Sequence, residues 1–262
     1  MDSDSLSFRG EWSGVDSMLG MRTESTAGRR DGRSHGEMRA MSVSYGELTR
    51  ADGSARVRLG TTDVLVAIYG PIEFPHNKQD AEAVHVHVAF GRREAMSNVA
   101  GAETGAGTES VITRDLEALV SYLVLATLHP RKAVVVAVQV LADSGGVICA
   151  AINSTTIALI DAGLPLRALP LAASVSIHNN AIIVDPVVVE EREADAVVCI
   201  VFDTALENDD GFMSVYAMGD CGGEELFAAT VQVCRQLVVK TRAFFRLSLE
   251  RKAAVHHIWN AP

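Results

Sequence analysis

The sequence predicts an α+β fold, in which mixed β-sheets pack with helices, and the order of its apolar segments supports this. An apolar hairpin opens the globular part, two helices with a strand between them follow, and paired strands then precede a long last helix. Because the strands come in runs and do not alternate regularly with helices, a doubly wound sheet is excluded. A chain of 262 residues that is 48% hydrophobic and 21% charged fits one globular domain, or one domain with an appendage.

Residues 1–40 differ in composition from the rest of the chain. They are rich in serine, glycine, arginine and aspartate, and their apolar residues follow no sustained period. We therefore predict a flexible N-terminal extension over 1–40 and a domain over 41–262. The basic cluster at 29–33 can contact RNA or a partner, but a solvated tail is the preferred interpretation.

The opening hairpin spans residues 46–70. Residues 56–59 alternate polar and apolar side chains, which is typical of a half-buried strand. Residues 60–63, Gly-Thr-Thr-Asp, are turn formers, and the apolar run 64–69 predicts a buried strand that ends at Gly70-Pro71.

The next strand, predicted over 83–90, carries His85 and His87 on one face. An i, i+2 histidine pair can bind a metal, but no third ligand follows at a suitable spacing, so exposed strand histidines are the preferred interpretation. A loop then leads to a helix over 109–128, whose apolar stripe ends at His129-Pro130.

The remaining elements follow from the same patterns. The segment 147–162 is mostly apolar all round, which predicts a helix at the centre of the core. The other predicted elements are strands over 133–141, 172–177, 181–184, 195–202 and 212–218, an acidic hairpin tip over 207–211, and a last helix from Gly223 to about Lys252.

Charge and cysteine content restrict the possible functions. A net charge of −10 disfavours a protein that wraps nucleic acid over its whole surface, although it permits a local basic patch. The four cysteines form no CxxC pair, which favours reduced buried thiols, and we predict neither a metal nor a cofactor. No apolar run approaches the ~20 residues of a membrane helix, and the N-terminus lacks the apolar core of a signal peptide.

Three groups of residues can carry chemistry. Gly145-Gly146, before a predicted helix, can bind phosphate through backbone N–H groups, although a structural turn is the simpler interpretation. Asp185 precedes an acidic group that can hold Mg²⁺ or act as acid and base, or can be only a charged loop. That acidic group comprises Glu190, Glu191, Glu193 and Asp195. The candidate contacts to RNA phosphates are Arg92, Arg93 and Arg114.

Several motifs, taken together, resemble the RNase PH family, which includes phosphorolytic exoribonucleases and ring subunits of the RNA exosome. In the hairpin, ADGSA, GTT and a strand ending in YGP carry the resemblance, which extends over about 42–251. The other matching segments are 113–116, 149–153, 161–167 and 184–186. The resemblance implies an RNase PH-type fold (ribosomal protein S5 domain 2-like).

The resemblance also implies roles for single residues. Active members bind phosphate through an arginine of the first helix, which Arg114 matches, and through a Thr/Ser-Arg pair after Gly-Gly. Here that pair is replaced by Val147 and Ile148, which cannot bind a dianion. Of the family's paired aspartates, Asp185 matches the first, and Glu191 stands at the second with a longer arm.

These departures favour a catalytically silent ring subunit of the eukaryotic exosome, supporting ring assembly and RNA threading for RNA processing, including rRNA processing. The implied partners are other RNase PH-like ring subunits, S1/KH-domain cap proteins and RNA, and the implied locations are nucleus, nucleolus and cytoplasm. Two alternatives remain open. One is an active phosphate-dependent 3′–5′ exoribonuclease that uses Arg114, Asp185 and Glu191. The other is a half-site that lends Arg92, Arg93 or Arg114 to a neighbouring subunit.

Overall fold

Two β-sheets enclose the central helix of the protein. The computed structural model describes residues 6–8, 29–73, 84–92, 105–205 and 212–259. The first sheet has six strands in the order β1-β2-β3-β4-β6-β5, all antiparallel except the parallel pair β5–β6. Its strands are β1 (Leu6–Phe8), β2 (Met41–Tyr45), β3 (Gly53–Leu59), β4 (Thr62–Glu73), β5 (His85–Arg92) and β6 (Lys132–Ala142).

The second sheet is antiparallel throughout, with the order β10-β9-β7-β8. Its strands are β7 (Pro170–His178), β8 (Ala181–Val184), β9 (Ala196–Asp203) and β10 (Phe212–Gly219). The helices are α1 (Gly105–Leu123), α2 (Val147–Asp161), α3 (Val188–Glu193) and α4 (Glu224–Trp259), with a short 3-10 helix at Ala126–Leu128. The predicted α+β architecture of mixed sheets and helices is confirmed.

Helix α2 lies between the sheets, in contact with β3 and β4 on one side and β7 on the other. Twelve of its fifteen residues are buried, which explains why its sequence is mostly apolar all round. Two of its buried polar side chains have partners inside this layer: Asn153 Oδ1 accepts a hydrogen bond from the N–H of Ala172, and Thr156 donates to the carbonyl of Pro170. The central helix predicted over 147–162 therefore occupies the expected position.

Helix α4 packs on β7 and β9 and reaches the first sheet through its C-terminal half. The Tyr45 hydroxyl donates a hydrogen bond of 2.9 Å to Ser248, and Lys252 forms an ion pair with Asp161 at the end of α2. No helix in the described ranges is long and apolar enough to cross a membrane.

The predicted hairpin is β3 and β4, paired from Gly53↔Ile68 to Leu59↔Thr62. Strand β4 continues beyond the predicted end at Gly70-Pro71, because a shift in register between Tyr69 and Ile72 lets the chain rejoin β6. The structure also adds β2, which the sequence analysis missed. Its alternating apolar residues Met41 and Val43 pack in the core.

Residues 29–40 differ from the predicted flexible extension. They lie along the edge of the second sheet, where the N–H of Val184 donates to the carbonyl of His35 at 2.9 Å. Arg29 and Arg39 are each only 7% exposed, so the interpretation of 29–33 as a solvated tail is wrong for Arg29. The physical reason is that buried carboxylates and backbone carbonyls of the domain accept hydrogen bonds from these arginines. We call residues 29–40 the arginine strap.

Candidate functional site

Asp185 lies at the end of β8 and is the centre of the candidate site. Its backbone has φ of +49°, and its N–H donates to the carbonyl of Ser174 at 3.0 Å. The residue is 5% exposed, so its carboxylate needs compensating partners inside the protein. We use the name Asp185 cluster for Asp185, Arg39, Gly145, Gly146 and Glu191.

Arg39 supplies most of those partners. Its Nη2 donates to Asp185 Oδ1 at 2.6 Å, and its Nε and backbone N–H both donate to Oδ2, at 2.9 and 2.8 Å. The other guanidinium hydrogens go to the carbonyls of Ser144 and Gly145 and to the hydroxyl of Thr62, each at 3.1 Å. All five guanidinium N–H groups are thus used within the protein.

The ionised form of Asp185 is stable despite burial. Desolvation alone would raise the pKa of this carboxyl, but hydrogen bonds from Arg39, its charge and that of Arg33 outweigh burial and lower the pKa below its usual value. Because the pKa is lowered on folding, this pair stabilises the protein above the ordinary carboxyl pKa. That contribution is lost as the pH falls through the lowered value.

Glu191 approaches the start of α2 from the other side. Its Oε1 accepts a hydrogen bond of 2.7 Å from the N–H of Gly146, the residue that precedes the helix. Burial raises the pKa of Glu191, and the neighbouring charge of Asp143 adds to this, while the Gly146 hydrogen bond opposes it. The Gly146 N–H therefore already has an anionic partner from the chain itself.

Replacing Glu191 by glutamine tests this raised pKa. The cost of an ionised, partly buried carboxylate is present above the raised pKa and disappears as the pH falls to the ordinary value. We expect Glu191→Gln to be more stable than the native protein at pH 8, with little difference near pH 4.5, in urea denaturation. Glu193→Gln is the control, since the Glu193–Arg30 pair is exposed. A less stable Glu191→Gln at pH 8 would contradict the raised pKa.

The arginine strap completes the surroundings of Asp185. Arg29 donates from Nε and Nη2 to the two carboxylate oxygens of Glu190, at 2.8 and 2.6 Å, and to the carbonyls of residues 184 and 185. Arg33 donates to the carbonyl of Asp185 at 3.2 Å. Glu190, predicted as part of an acidic group near Asp185, therefore pairs with the strap and not with Asp185.

The two residues that begin α2 present no polar group. Val147 is buried, and Ile148 is partly buried against the core. Gly145 and Gly146 precede them with φ of +98° and +69°, which fixes the turn that brings the 144 and 145 carbonyls to Arg39. The apolar pair at 147 and 148 thus lies beside a turn whose carbonyls accept hydrogen bonds from an arginine.

Of the three arginine candidates, Arg92 and Arg114 are described by the structure, and neither contacts Asp185 directly. Arg92, at the end of β5, donates from Nη1 to Asp143 Oδ2 at 2.8 Å, and Asp143 Oδ1 accepts from the N–H of Gly145. Arg114 lies on α1 with its side chain 77% exposed and its Nε 3.6 Å from Asp115. Arg93 lies outside the described residues. Arg92 is therefore the candidate linked to the turn before α2.

The histidine pair lies on the exposed face of β5, as its alternation predicts. His85 and His87 are exposed, and His87 Nδ1 is 3.6 Å from Glu117. Within the described ranges, no group of three or more His, Cys, Asp or Glu side chains is arranged to hold a metal ion.

Sequence reasoning missed Arg39 and Thr62. Thr62 donates to the carbonyl of Gly145 at 2.7 Å, whereas its sequence pattern indicates only a turn. One signal pointed to Arg39: four arginines fall within residues 29–39, directly before an alternating apolar strand. Such a group of arginines next to the domain can neutralise the acidic residues predicted around Asp185.

Comparison with known proteins agrees with this architecture. Residues 37–165 match the family model described as "3' exoribonuclease family, domain 1", RNase_PH. The Exosome complex component RRP41 homolog of Arabidopsis thaliana is 32% identical over 178 residues, which are 66% of this chain and 72% of that protein.

Two further relatives are both named Rrp46. The Exosome complex exonuclease RRP46 homolog of Arabidopsis thaliana is 29% identical over 175 residues, 66% of this chain and 70% of that protein. The crystal structure of rice (Oryza sativa) Rrp46 superposes with a TM-score of 0.72 at 27% identity, covering 85% of this chain and all of that one. Fold, motifs and relatives together show that this chain belongs to the RNase PH family.

Proposed function

We propose that this chain is a non-catalytic structural subunit of the RNA exosome core ring, which supports ring assembly and RNA threading for 3′–5′ processing and degradation, including rRNA processing. The support for exosome membership is the names of the relatives. The RRP41 homolog is an exosome complex component, and rice Rrp46 shares the fold over 85% of this chain.

The proposal that the subunit is catalytically silent rests on the Asp185 cluster, whose hydrogen-bond donors are already used by protein acceptors. Phosphorolysis needs a binding site for an inorganic phosphate dianion, with hydrogen-bond donors that are free to bind it. Here Arg39 gives all five guanidinium N–H groups to protein acceptors, and Gly146 gives its N–H to Glu191. The positions that would add donors hold Val147 and Ile148.

The nearby carboxylates also disfavour the binding of phosphate. Asp143, Asp185 and Glu191 surround the turn at Gly145-Gly146, and a further anion placed there would be repelled. Binding phosphate would also require breaking the hydrogen bond between Gly146 and Glu191 or one between Arg39 and Asp185. Either loss leaves a buried polar group unpaired.

RNA would be contacted outside this cluster. Arg92 is the last residue of β5, Arg93 is the next residue in the sequence, and Arg114 is exposed on α1, so all three are proposed contacts to phosphates of a threaded strand. The partners in this proposal are other RNase PH-like ring subunits and S1/KH-domain cap proteins. The proposed locations are the nucleus, nucleolus and cytoplasm, which a fluorescent fusion of the full chain tests.

A phosphorolysis assay tests the silent role. The purified chain is incubated with uniformly labelled single-stranded RNA, inorganic phosphate and Mg²⁺, and labelled nucleoside diphosphates are quantified. We expect release no faster than in buffer alone, and the same result for Arg114→Ala and Glu191→Gln. Release by the native chain that both substitutions abolish would overturn the proposal. Co-purification of the tagged chain, read by mass spectrometry, tests membership of a mixed ring.

The alternative is an active phosphate-dependent exoribonuclease. The retained carboxylates at 185 and 191 and the arginine at 114 favour it, as does a relative named an exonuclease. Under this alternative Arg114 would need a phosphate partner, but its side chain lies 3.6 Å from Asp115 on the same helix. The assay above separates the two functions directly.

A further inference from the structure

One end of the molecule carries exposed cations that lack a carboxylate partner. The chain has 33 acidic residues against 23 lysines and arginines, so a surface cation usually finds an acidic neighbour, as Arg56 does in Asp63. Within the described part of the chain, the exposed residues Arg131, Lys132 and Arg167 form no ion pair with any carboxylate. We use the name basic end for these three residues and Tyr122.

The fold brings the basic end together from two parts of the chain. Tyr122 lies in the last turn of α1, and the N–H of Arg167 donates at 2.8 Å to the carbonyl of the residue that follows Tyr122. The chain then passes through the 3-10 helix and a turn in which Arg131 has φ of +62°. Lys132 comes next, as the first residue of β6. The three cations therefore lie around the C-terminal end of α1.

Tyr122 gives the basic end an aromatic surface. The residue is 51% exposed, and the guanidinium of Arg167 lies 5.2 Å from the centre of its ring. A cation at this distance is attracted to the ring and helps to hold it in place. Nucleobases pack on aromatic rings and on guanidinium planes, whatever the identity of the base. The pair therefore suits an unstacked base of a single strand.

The basic end is far from the Asp185 cluster. Lys132 begins β6, whereas Val140, the residue that pairs with Arg92, lies near the end of the same strand. At ~3.3 Å for each strand residue, the two positions are about 26 Å apart. Arg92 contacts Asp143, which accepts a hydrogen bond from Gly145. An anion bound at the basic end is therefore not repelled by the carboxylates around that turn.

We propose that the basic end binds single-stranded RNA, with one base packed on the Tyr122–Arg167 pair and neighbouring phosphates on Arg131 and Lys132. The phosphates supply the anions that these cations lack, and the base covers the exposed ring. The choice of RNA over DNA rests on the proposed function, whereas the geometry requires only a strand with an unstacked base. The site is separate from the arginine contacts proposed above.

An acidic protein segment is the other ligand that such cations can take. Its carboxylates would pair with the cations but would gain nothing from the exposed ring of Tyr122, whereas every nucleotide brings both an anion and a flat base. The arrangement of ring and cations therefore favours RNA. The two ligands differ in the effect that Tyr122→Ala has on affinity.

Fluorescence anisotropy of the full chain with a labelled adenosine oligoribonucleotide tests the phosphate contacts. We expect the double variant Arg131→Glu with Lys132→Glu to bind about tenfold more weakly or worse. Each phosphate contact contributes about 0.7 to the slope of log affinity against log salt concentration, so the slope should fall by about 1.4. The matched control is Arg192→Glu with Arg251→Glu, which makes the same change in net charge at exposed cations of α3 and α4. The control should change the affinity less than about threefold and leave the slope intact.

Substitutions at Tyr122 test the base contact. We expect Tyr122→Ala to bind the RNA about tenfold more weakly, because a stacked base is lost. Its salt slope should equal that of the native chain, since no phosphate contact is removed. Tyr122→Phe keeps the ring and should bind as the native chain does. The residue is half exposed, so neither change threatens folding, and urea denaturation of each variant checks this.

Other outcomes overturn the proposal. The absence of RNA binding by the full chain, or equal losses in the basic-end double variant and its control, would refute the phosphate contacts. Unchanged affinity of Tyr122→Ala, with equally tight binding of a glutamate-rich peptide, would assign the basic end to an acidic protein segment. Release of nucleoside diphosphates in the phosphorolysis assay would refute only the silent role, because the variants' RNA affinities are measured without phosphate. The two failures are therefore distinguishable.

Discussion

Replacing Arg39 by alanine is expected to lower the free energy of unfolding by about 3–5 kcal/mol, because it leaves the Asp185 carboxylate buried without its main partner. Arg39 donates three hydrogen bonds to that carboxylate, two from its guanidinium and one from its backbone. The substitution also removes the donors to the carbonyls of residues 144 and 145. Urea denaturation at pH 7 measures the loss.

The control for Arg39→Ala is Arg30→Ala in the same strap. Arg30 pairs with Glu193 at 2.6 Å, but the side chains are 70% and 54% exposed, so we expect a change of about 0–1 kcal/mol. In the double variant Arg39→Ala with Asp185→Asn, part of the loss should be recovered, since the uncompensated charge is gone. Equal losses for Arg39→Ala and Arg30→Ala would show that the Asp185 pair does not stabilise the fold.

Replacing Gly145 by alanine is expected to lower the free energy of unfolding by about 3 kcal/mol or more, because the position combines an unfavourable backbone angle with a close contact. Its φ is +98°, and an added Cβ would lie 2.6 Å from the N of Val188 and 2.7 Å from the O of Pro186. Both are backbone atoms that cannot rotate away. Relief requires the 145 carbonyl to move, which weakens its hydrogen bonds from Arg39 and Thr62. Thermal and urea unfolding measure the effect.

Gly163→Ala separates the two causes. Gly163 also has positive φ, +68°, but nothing lies within 4 Å of its added Cβ. The positive φ alone should lower the free energy of unfolding of Gly163→Ala by about 1–2 kcal/mol. A Gly145→Ala variant no less stable than Gly163→Ala would mean that the turn and α3 are not in close contact.

The sequence predicted those elements whose signal is local. The hairpin alternation at 56–59 and the mostly apolar segment 147–162 each report burial directly, so β3, β4 and α2 were placed within a few residues. Helix α1 was predicted to start at 109 and reach 128, whereas it runs from 105 to 123. Its apolar stripe does not distinguish an α-helix from the 3-10 turn that follows at 126–128.

The sequence did not predict the role of the strap, because that role depends on partners far along the chain. A segment rich in serine, glycine and arginine has the composition of a solvated tail, and only the fold shows carboxylates at 185 and 190 beside it. The role of Val147 and Ile148 came from the family resemblance and not from any pattern in this chain. The candidate contact at Arg93 stays a prediction.

The strap has a consequence for synthesis on the ribosome. Arg29 precedes its carboxylate partner by 161 residues, and Arg39 precedes Asp185 by 146. The arginines therefore leave the exit tunnel first and stay hydrated while most of the polypeptide is still being translated. A nascent chain arrested before codon 185 lacks these partners, so pulse proteolysis should cut it within 29–40 and spare the same residues once translation ends.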